Sequence, residues 1–274
     1  MKLLSAILSC LLMVSPAFAG ANSLKLHQGA YDSAAQRYFN SLVAYGCTTP
    51  TPAFKLAVSN YVKAKKAHGN WGGDDFIYIL ATADSCTASV NLAQPTLYKL
   101  TWNGSCTFAV ATGLTGDGST CYGDDGVNIS QLTRISRNNS HLEICQNIPI
   151  NTAFGTLGAA GVLLFTGILN KGTKITSSTT IVDSGVSSAG CNFAWRTSSS
   201  IATTGRDGVI NSNGIANASA ALNPDHFSIC RNSAAFCPNT SQIFLVEVGQ
   251  PIVSESLEYT DESTLISALG GPTF

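Results

Sequence analysis

Charge is scarce in this sequence. Only 11% of its residues are Asp, Glu, Lys or Arg, against about 25% in an ordinary globular chain. No basic patch stands out, which excludes a nucleic-acid or anionic-membrane footprint. Long apolar runs are missing beyond the N-terminus. None reaches the ~18 residues of a spanning helix, and the longest, residues 159–169, is broken by Gly161, Thr166 and Gly167. No H-E-x-x-H, G-x-S-x-G or C-x-x-C motif occurs; nothing local therefore marks a metalloprotease, a nucleophile elbow or a zinc site. His27, His68, His141 and His226 are isolated from one another. Glutamate is limited to Glu143, Glu247, Glu255, Glu258 and Glu262. None forms the alternating carboxylate pattern with which a single strand can attack a glycoside. Glu143 and Glu247, each alone on an expected strand, read as solvent-facing.

What is present speaks first of compartment. Lys2, an apolar run over residues 3–14 and Pro16-Ala17-Phe18-Ala19 form a secretory leader with cleavage expected after Ala19. Cys10 lies inside the apolar run, not after it, so a lipoprotein anchor is set aside. The expected location is secreted or periplasmic. Loss of Lys2 leaves 14 basic and 16 acidic residues, a net charge of −2. Eight cysteines remain: Cys47, Cys86, Cys106, Cys121, Cys145, Cys191, Cys230 and Cys237. An even count in an exported chain reads as disulfides. Eight allow on the order of a hundred pairings; closure between sequence neighbours gives 47–86, 106–121, 145–191 and 230–237.

Two helical stripes open the mature chain. Tyr31, Ala34, Ala35, Tyr38, Phe39, Leu42 and Val43 follow the helical period, as do Phe54, Ala57, Val58, Tyr61 and Val62. Thr51-Pro52 reads as an N-cap and first-turn proline, and Gly69 as the terminator. Lys63, Lys65 and Lys66 fall near the end of the second helix, where cations suit the dipole. Residues 71–83 read as a short helical or extended piece that docks this hairpin. From about Pro95, β-branched and aromatic runs alternate with Gly, Asn, Asp and Ser. Strands are expected over 97–102, 106–112, 119–122, 140–146, 161–168, 174–182, 191–197, 206–210, 226–230 and 242–248. Asn103-Gly104, Asp207-Gly208 and Asn213-Gly214 are tight-turn signals. Thr260-Asp261-Glu262 reads as the cap of a short last helix. These features divide the chain into a leader (1–19), an N-terminal helical cap (20–94) and a two-sheet β-sandwich (95–274).

The segment Gly69-Asn70-Trp71-Gly72-Gly73-Asp74-Asp75-Phe76-Ile77-Tyr78-Ile79-Leu80 resembles the lead-in to a laminin-G-like, concanavalin A-like jelly roll of phage and prophage-associated bacterial proteins. Phe108, Gly113, the run Thr115-Gly116-Asp117-Gly118-Ser119-Thr120 and Tyr122 resemble that family's F-x-x-x-x-G-x-T-G-D-G-S-T-x-Y hallmark. Asp124, Gly126, Asn128 and Ser130 continue it. Gly123 departs from it, standing where an apolar strand residue is expected. The leader and cysteines also depart from the cysteine-poor pattern of such proteins. The resemblance implies a mainly β, two-sheet jelly-roll sandwich with the helical cap and a short C-terminal helix. It implies recognition and supplies no catalytic site.

Asp124 and Asp125 are the candidate metal ligands, for calcium; as turn residues they need no ion, and no cofactor is otherwise expected. Trp102, Trp195 and Asn128 are the candidate ligand-binding residues, since aromatic faces stack on sugar rings; both tryptophans also suit a core. The expected function is a secreted, non-catalytic recognition module for a glycan or a cell-surface or virion protein, with no nucleic-acid partner and with oligomers possible. The alternatives are a prophage-derived structural, assembly or adhesin subunit, and a polysaccharide hydrolase or lyase.

Overall fold

Helical periodicity and well-formed caps produce the first two elements. The computed structural model describes residues 31–148, 153–156, 161–165, 171–177, 181–183, 189–222, 226–231 and 236–274; the segment expected to be a leader lies outside them. Helix α1 (Ser33–Ala44) buries Ala34, Ala35, Tyr38, Phe39 and Leu42, and the Asp32 carboxylate accepts from the Ala34 N–H at 2.8 Å. Helix α2 (Pro52–His68) is capped by Thr51, whose Oγ1 accepts from the Phe54 N–H at 3.2 Å, and ends at Gly69 in the left-handed region. The Cys47–Cys86 disulfide ties the loop between them to the short helix α3 (Ser85–Ser89).

Strand β1 (Asp74–Ile79) takes the extended form of the two allowed for residues 71–83. It lies within the stretch assigned to the helical cap, so the sheets begin before residue 95. Eight strands form the first sheet. Its path is β13 (Val209–Ala216), β12 (Ile201–Arg206), β11 (Gly190–Arg196), β6 (Ser140–Ile148), β15 (Gln242–Gly249), β4 (Gly113–Thr115) and β3 (Thr107–Ala109), and β1 pairs with β15. The second sheet runs β10 (Ile181–Asp183), β9 (Lys171–Ser177), β8 (Gly161–Phe165), β7 (Ala153–Thr156), β14 (His226–Ile229), β5 (Tyr122–Asn128) and β2 (Thr101–Asn103). Every described strand pair is antiparallel. Helix α4 (Glu255–Ala268) follows β15.

The protein is therefore a mainly β two-sheet sandwich with N-terminal helices and a C-terminal helix. Period-two alternation fixes which side chains fill it. Phe76 and Tyr78 of β1, Leu142 and Ile144 of β6, and Val246 and Val248 of β15 enter one buried cluster with Phe227 and Ile229 of β14. Phe76 of the first sheet stacks on Phe227 of the second at 5.1 Å and meets Tyr98 edge-on at 5.2 Å. The intervening residues, Ile77, His141, Glu143 and Glu247, point the other way.

Several local expectations shift. Residues 206–210 are not one strand: Asp207 and Gly208, both at positive φ, make the turn of the β12–β13 hairpin. Asn213-Gly214 lies within β13, where the register with β12 slips, and so forms a bulge instead of a turn. Helix α4 starts after Ser254, earlier than the expected Thr260, which puts Glu255 and Glu258 in its first turn. Residues 116–121 form a loop around one side chain. Asp117 Oδ1 accepts from the Ser119, Thr120 and Cys121 N–H groups at 2.8, 2.7 and 2.9 Å. The Thr120 hydroxyl donates to Oδ2, and this bond first, then the three backbone ones, hold the Asp117 carboxyl below its ordinary range. A Cβ on Gly116 would lie 2.2 Å from the Cys237 carbonyl oxygen, so only glycine lets the loop approach there.

All four disulfides pair sequence neighbours, as expected: Cys47–Cys86, Cys106–Cys121, Cys145–Cys191 and Cys230–Cys237. Such a set is consistent with an extracellular or secreted protein. No helix among the described residues is long and apolar enough to cross a membrane.

The unexpected glycine of the motif has a steric cause. A Cβ on Gly123 would fall 2.6 Å from the Trp102 ring across the β2–β5 pair. Gly123→Ala should therefore lower the unfolding free energy by about 1–3 kcal/mol and alter the Trp102 near-UV circular dichroism. Unchanged stability and spectrum would show that the ring has room.

Candidate functional site

All five glutamates of the chain meet under the helices, on the outer face of the first sheet. Glu143 on β6 and Glu247 on β15 are cross-strand partners. Glu255, Glu258 and Glu262 share one face of α4 by their three- and four-residue spacing. Asp74 at the start of β1 completes the cluster. Glu143, Glu247, Glu258 and Glu262 are all within 1% of complete burial, which corrects the solvent-facing reading of Glu143 and Glu247. The cause lies in the order of layers: helices cover the face that alternation leaves for polar residues.

Lys65 carries the balancing charge. It continues the Val58–Tyr61–Val62 stripe of α2 by one turn and is fully buried, so its role is not that of an exposed dipole-facing cation. Nζ lies 2.6 Å from Glu247 Oε2, 2.6 Å from Glu258 Oε1 and 3.3 Å from Asp74 Oδ2. Tyr61 OH donates to the other Glu247 oxygen. Burial opposes the Lys65 charge, but Asp74, Glu247 and Glu258 together hold its pKa well above the ordinary value. His141, also buried, lies 3.4 Å from Glu143. Burial disfavours its charge, while Glu143, Glu255 and Glu247 bring its pKa to about 9.

The carboxylates respond in the opposite sense. Burial raises Asp74 to about 6 against the pull of Lys65, and Glu255 to about 8 against the pull of His141. Glu258 and Glu262 move well upward, first by burial. Glu262 Oε2 sits 3.3 Å from Cys145 Sγ. That sulfur is bonded to Cys191 and has no proton to donate, which also disfavours a carboxylate there.

The sequence-expected site residues are dispersed. Trp102 is half-buried on β2 at the edge of the second sheet; its Nε1 donates to the Ser85 carbonyl at 3.0 Å and its ring meets Phe108 edge-on. Trp195 is on β11 of the first sheet, in register with His141, and its indole nitrogen is buried without a hydrogen-bond acceptor. Asn128 ends β5, opposite His226. Asp124 and Asp125 are consecutive on β5 and so project to opposite faces. Asp124 accepts from the Gly126 N–H and lies 3.2 Å from His226 Nδ1. Asp125 is buried, accepts from the Val127 N–H, and is raised by burial to about 7.

A cleft of about 270 Å³ opens elsewhere, between the α1–α2 loop, residues 82–87, Val110 and the end of α4. Phe54, Val110 and Leu269 give it apolar walls, while Thr48, Thr49 and Thr82 add hydroxyls. Its carboxylate, Asp84, is fully engaged. It accepts from the Thr48, Cys86 and Thr87 N–H groups and from Thr87 Oγ1, at 2.9–3.2 Å. Burial pushes Asp84 up, but these hydrogen bonds outweigh it and hold it below the usual range.

No protein-family model and no curated relative matches the sequence. Among solved structures, a Trypanosoma rangeli sialidase in complex with a difluoro-KDN is similar over 76% of this chain and 39% of the sialidase, at 12% identity and TM-score 0.49. This chain thus spans about two fifths of that enzyme. Domain 4 of an extracellular arabinanase from Geobacillus stearothermophilus, in complex with arabinotriose, is similar over 68% of this chain and 96% of the domain, at 13% identity and TM-score 0.42. Likeness at this level concerns β-sheet architecture alone.

Two outcomes follow from the buried charges. Lys65→Met leaves Glu247, Glu258 and Asp74 without their cation and should cost about 3–5 kcal/mol near neutral pH. Chemical denaturation measures the loss, which should shrink at acid pH as the carboxylates take up protons. The second outcome concerns the metal-free protein in EDTA. His141 and the raised carboxyls hold protons more tightly folded than unfolded. The His141 contribution is complete below the unfolded pKa of 6.5 and is lost as pH rises through about 9. The Glu255 contribution is lost between its ordinary value of 4.5 and about 8. Tm should fall by roughly 5 °C or more between about pH 5 and 9. A Tm that rises over that interval contradicts this charge balance.

Proposed function

We propose that this chain is an extracytoplasmic recognition module that binds a neutral saccharide in the Cys47–Cys86 cleft without transforming it. The chemistry of the cleft lining carries the reading. A sugar ring has an apolar C–H face and a hydroxyl rim, and the cleft pairs Phe54, Val110 and Leu269 with the Thr48, Thr49 and Thr82 hydroxyls. A general acid or base needs a carboxyl free to exchange its proton. Both oxygens of Asp84 are occupied by hydrogen bonds that favour the ionised form, so the group serves to shape the cleft. The leader, the four disulfides and the resemblance of residues 107–130 to laminin-G-like recognition domains support the same reading. The disulfide ties two cleft walls together, which lowers the entropy lost on binding.

Isothermal titration with a panel of neutral oligosaccharides tests this. Val110→Trp should fill the cleft and weaken binding at least about tenfold, whereas Trp102→Ala should leave affinity unchanged. Absence of saccharide binding, or binding indifferent to Val110→Trp but abolished by Trp102→Ala, would remove the cleft as the site. Release of reducing ends from the same panel would overturn the non-catalytic assignment.

A further inference from the structure

The half of the buried cluster away from Lys65 brings a second set of ligand atoms together around His141. His141, Glu143 and Glu255 each bring one ligand atom to a place where all three lie within 4.8 Å of one another. Two ligands of one transition-metal ion, each about 2.1 Å away, stand at most roughly 4.2 Å apart, so shifts of a few tenths of an ångström would close the set. His141 supplies an independent observation. Its side chain is completely buried, yet neither ring nitrogen makes a hydrogen bond. Its contact with Glu143 is an ion-pair approach at 3.4 Å. A ring nitrogen buried without a partner is costly unless something absent from the structure satisfies it. Both Glu255 oxygens likewise lack a hydrogen-bond donor, as does the indole N–H of Trp195, the register partner of His141, an acceptor.

The count of charges agrees. Six carboxyl groups converge on Lys65 and His141, and Lys65 is committed to Asp74, Glu247 and Glu258. Glu143 and Glu255 lie against the imidazole, and Lys65 acts on Glu255 more weakly than His141 does. Glu255 is the least buried residue of the set, in the first turn of α4, although both of its carboxylate oxygens are buried.

We propose that His141, Glu143 and Glu255 form a binding site for a divalent transition-metal ion of the zinc or manganese type. One imidazole and two carboxylates suit such ions, whereas calcium prefers an all-oxygen set. The site joins β6 to α4 and is separate from the saccharide cleft. The bound ion would lock the helix onto the sheet.

The test uses the full mature chain with its disulfides formed, stripped with EDTA and dialysed. About one equivalent of Zn²⁺ or Mn²⁺ should bind by titration calorimetry and raise Tm, and EDTA should reverse the rise. Ca²⁺ should bind at least tenfold more weakly. Co²⁺ should give a visible absorption band that reports its coordination by the protein. Glu255→Gln, which keeps the size of the side chain and removes its charge, should fold as the parent does and lose at least tenfold in Zn²⁺ affinity; His141→Gln should remove the cobalt band where it folds. Failure of the stripped parent to bind Zn²⁺ or Mn²⁺, or an unchanged affinity in folded Glu255→Gln, overturns the site.

Discussion

The burial of Lys65 is the constraint on which the arrangement of layers rests. An ammonium withdrawn from water loses several kcal/mol of hydration unless carboxylates replace it. Those replacements come from three separate parts of the chain: β1, β15 and α4. The lysine can therefore be satisfied only when α2, the central strands and the last helix are all in place. Tyr61 and His68 of the same helix extend the tie, reaching Glu247 and Asp261. Apolar packing alone would let the helices slide over the sheet. The ion network fixes one position, because each displaced partner would leave a charge unpaired in a dry interior.

The disulfides act at other points of the same body. Cys145–Cys191 joins directly opposed residues of β6 and β11, while Cys106–Cys121 and Cys230–Cys237 flank the loop centred on Asp117. Gly118 N–H donates to the Cys237 carbonyl at 2.9 Å, so the two closed loops are docked together. The chain can thus present long Ser-, Thr- and Asn-rich connections with little charge and still hold them in place. Local side-chain hydrogen bonds do there what ion pairs do in the interior.

Much of this architecture was legible because it rests on local chemistry. The α1 and α2 stripes, the Thr51-Pro52 start and the Gly69 stop depend on a few adjacent residues. Each of the four cysteine pairs joins cysteines that are successive along the chain. β1 was harder to place: its alternate residues are apolar on both faces, so Phe76 and Tyr78 serve the sandwich while Ile77 and Ile79 serve the helix layer. The buried carboxylates were hidden for a different reason. A glutamate on an alternating strand reads as exposed unless one knows that a helix covers that face. The available signal was the spacing of Glu255, Glu258 and Glu262 on one side of a helix, in line with Leu265 and Ile266. It became visible only with the helix start at Ser254. The cleft had no sequence signature, since its walls come from four separate segments.

The bulge in β13 affects how copies of this protein meet in concentrated solution. β13 ends the path of the first sheet, and its exposed Val209 and Ile210 would favour the addition of a strand from another molecule. Its register slips twice against β12, and Gly214 at positive φ turns the backbone out of the ladder. An incoming strand can pair with the first few residues before the hydrogen-bonding groups fall out of step. The irregularity therefore acts as a guard against open-ended sheet growth, which matters for a sparsely charged, hydroxyl-rich chain that has little electrostatic repulsion to keep molecules apart.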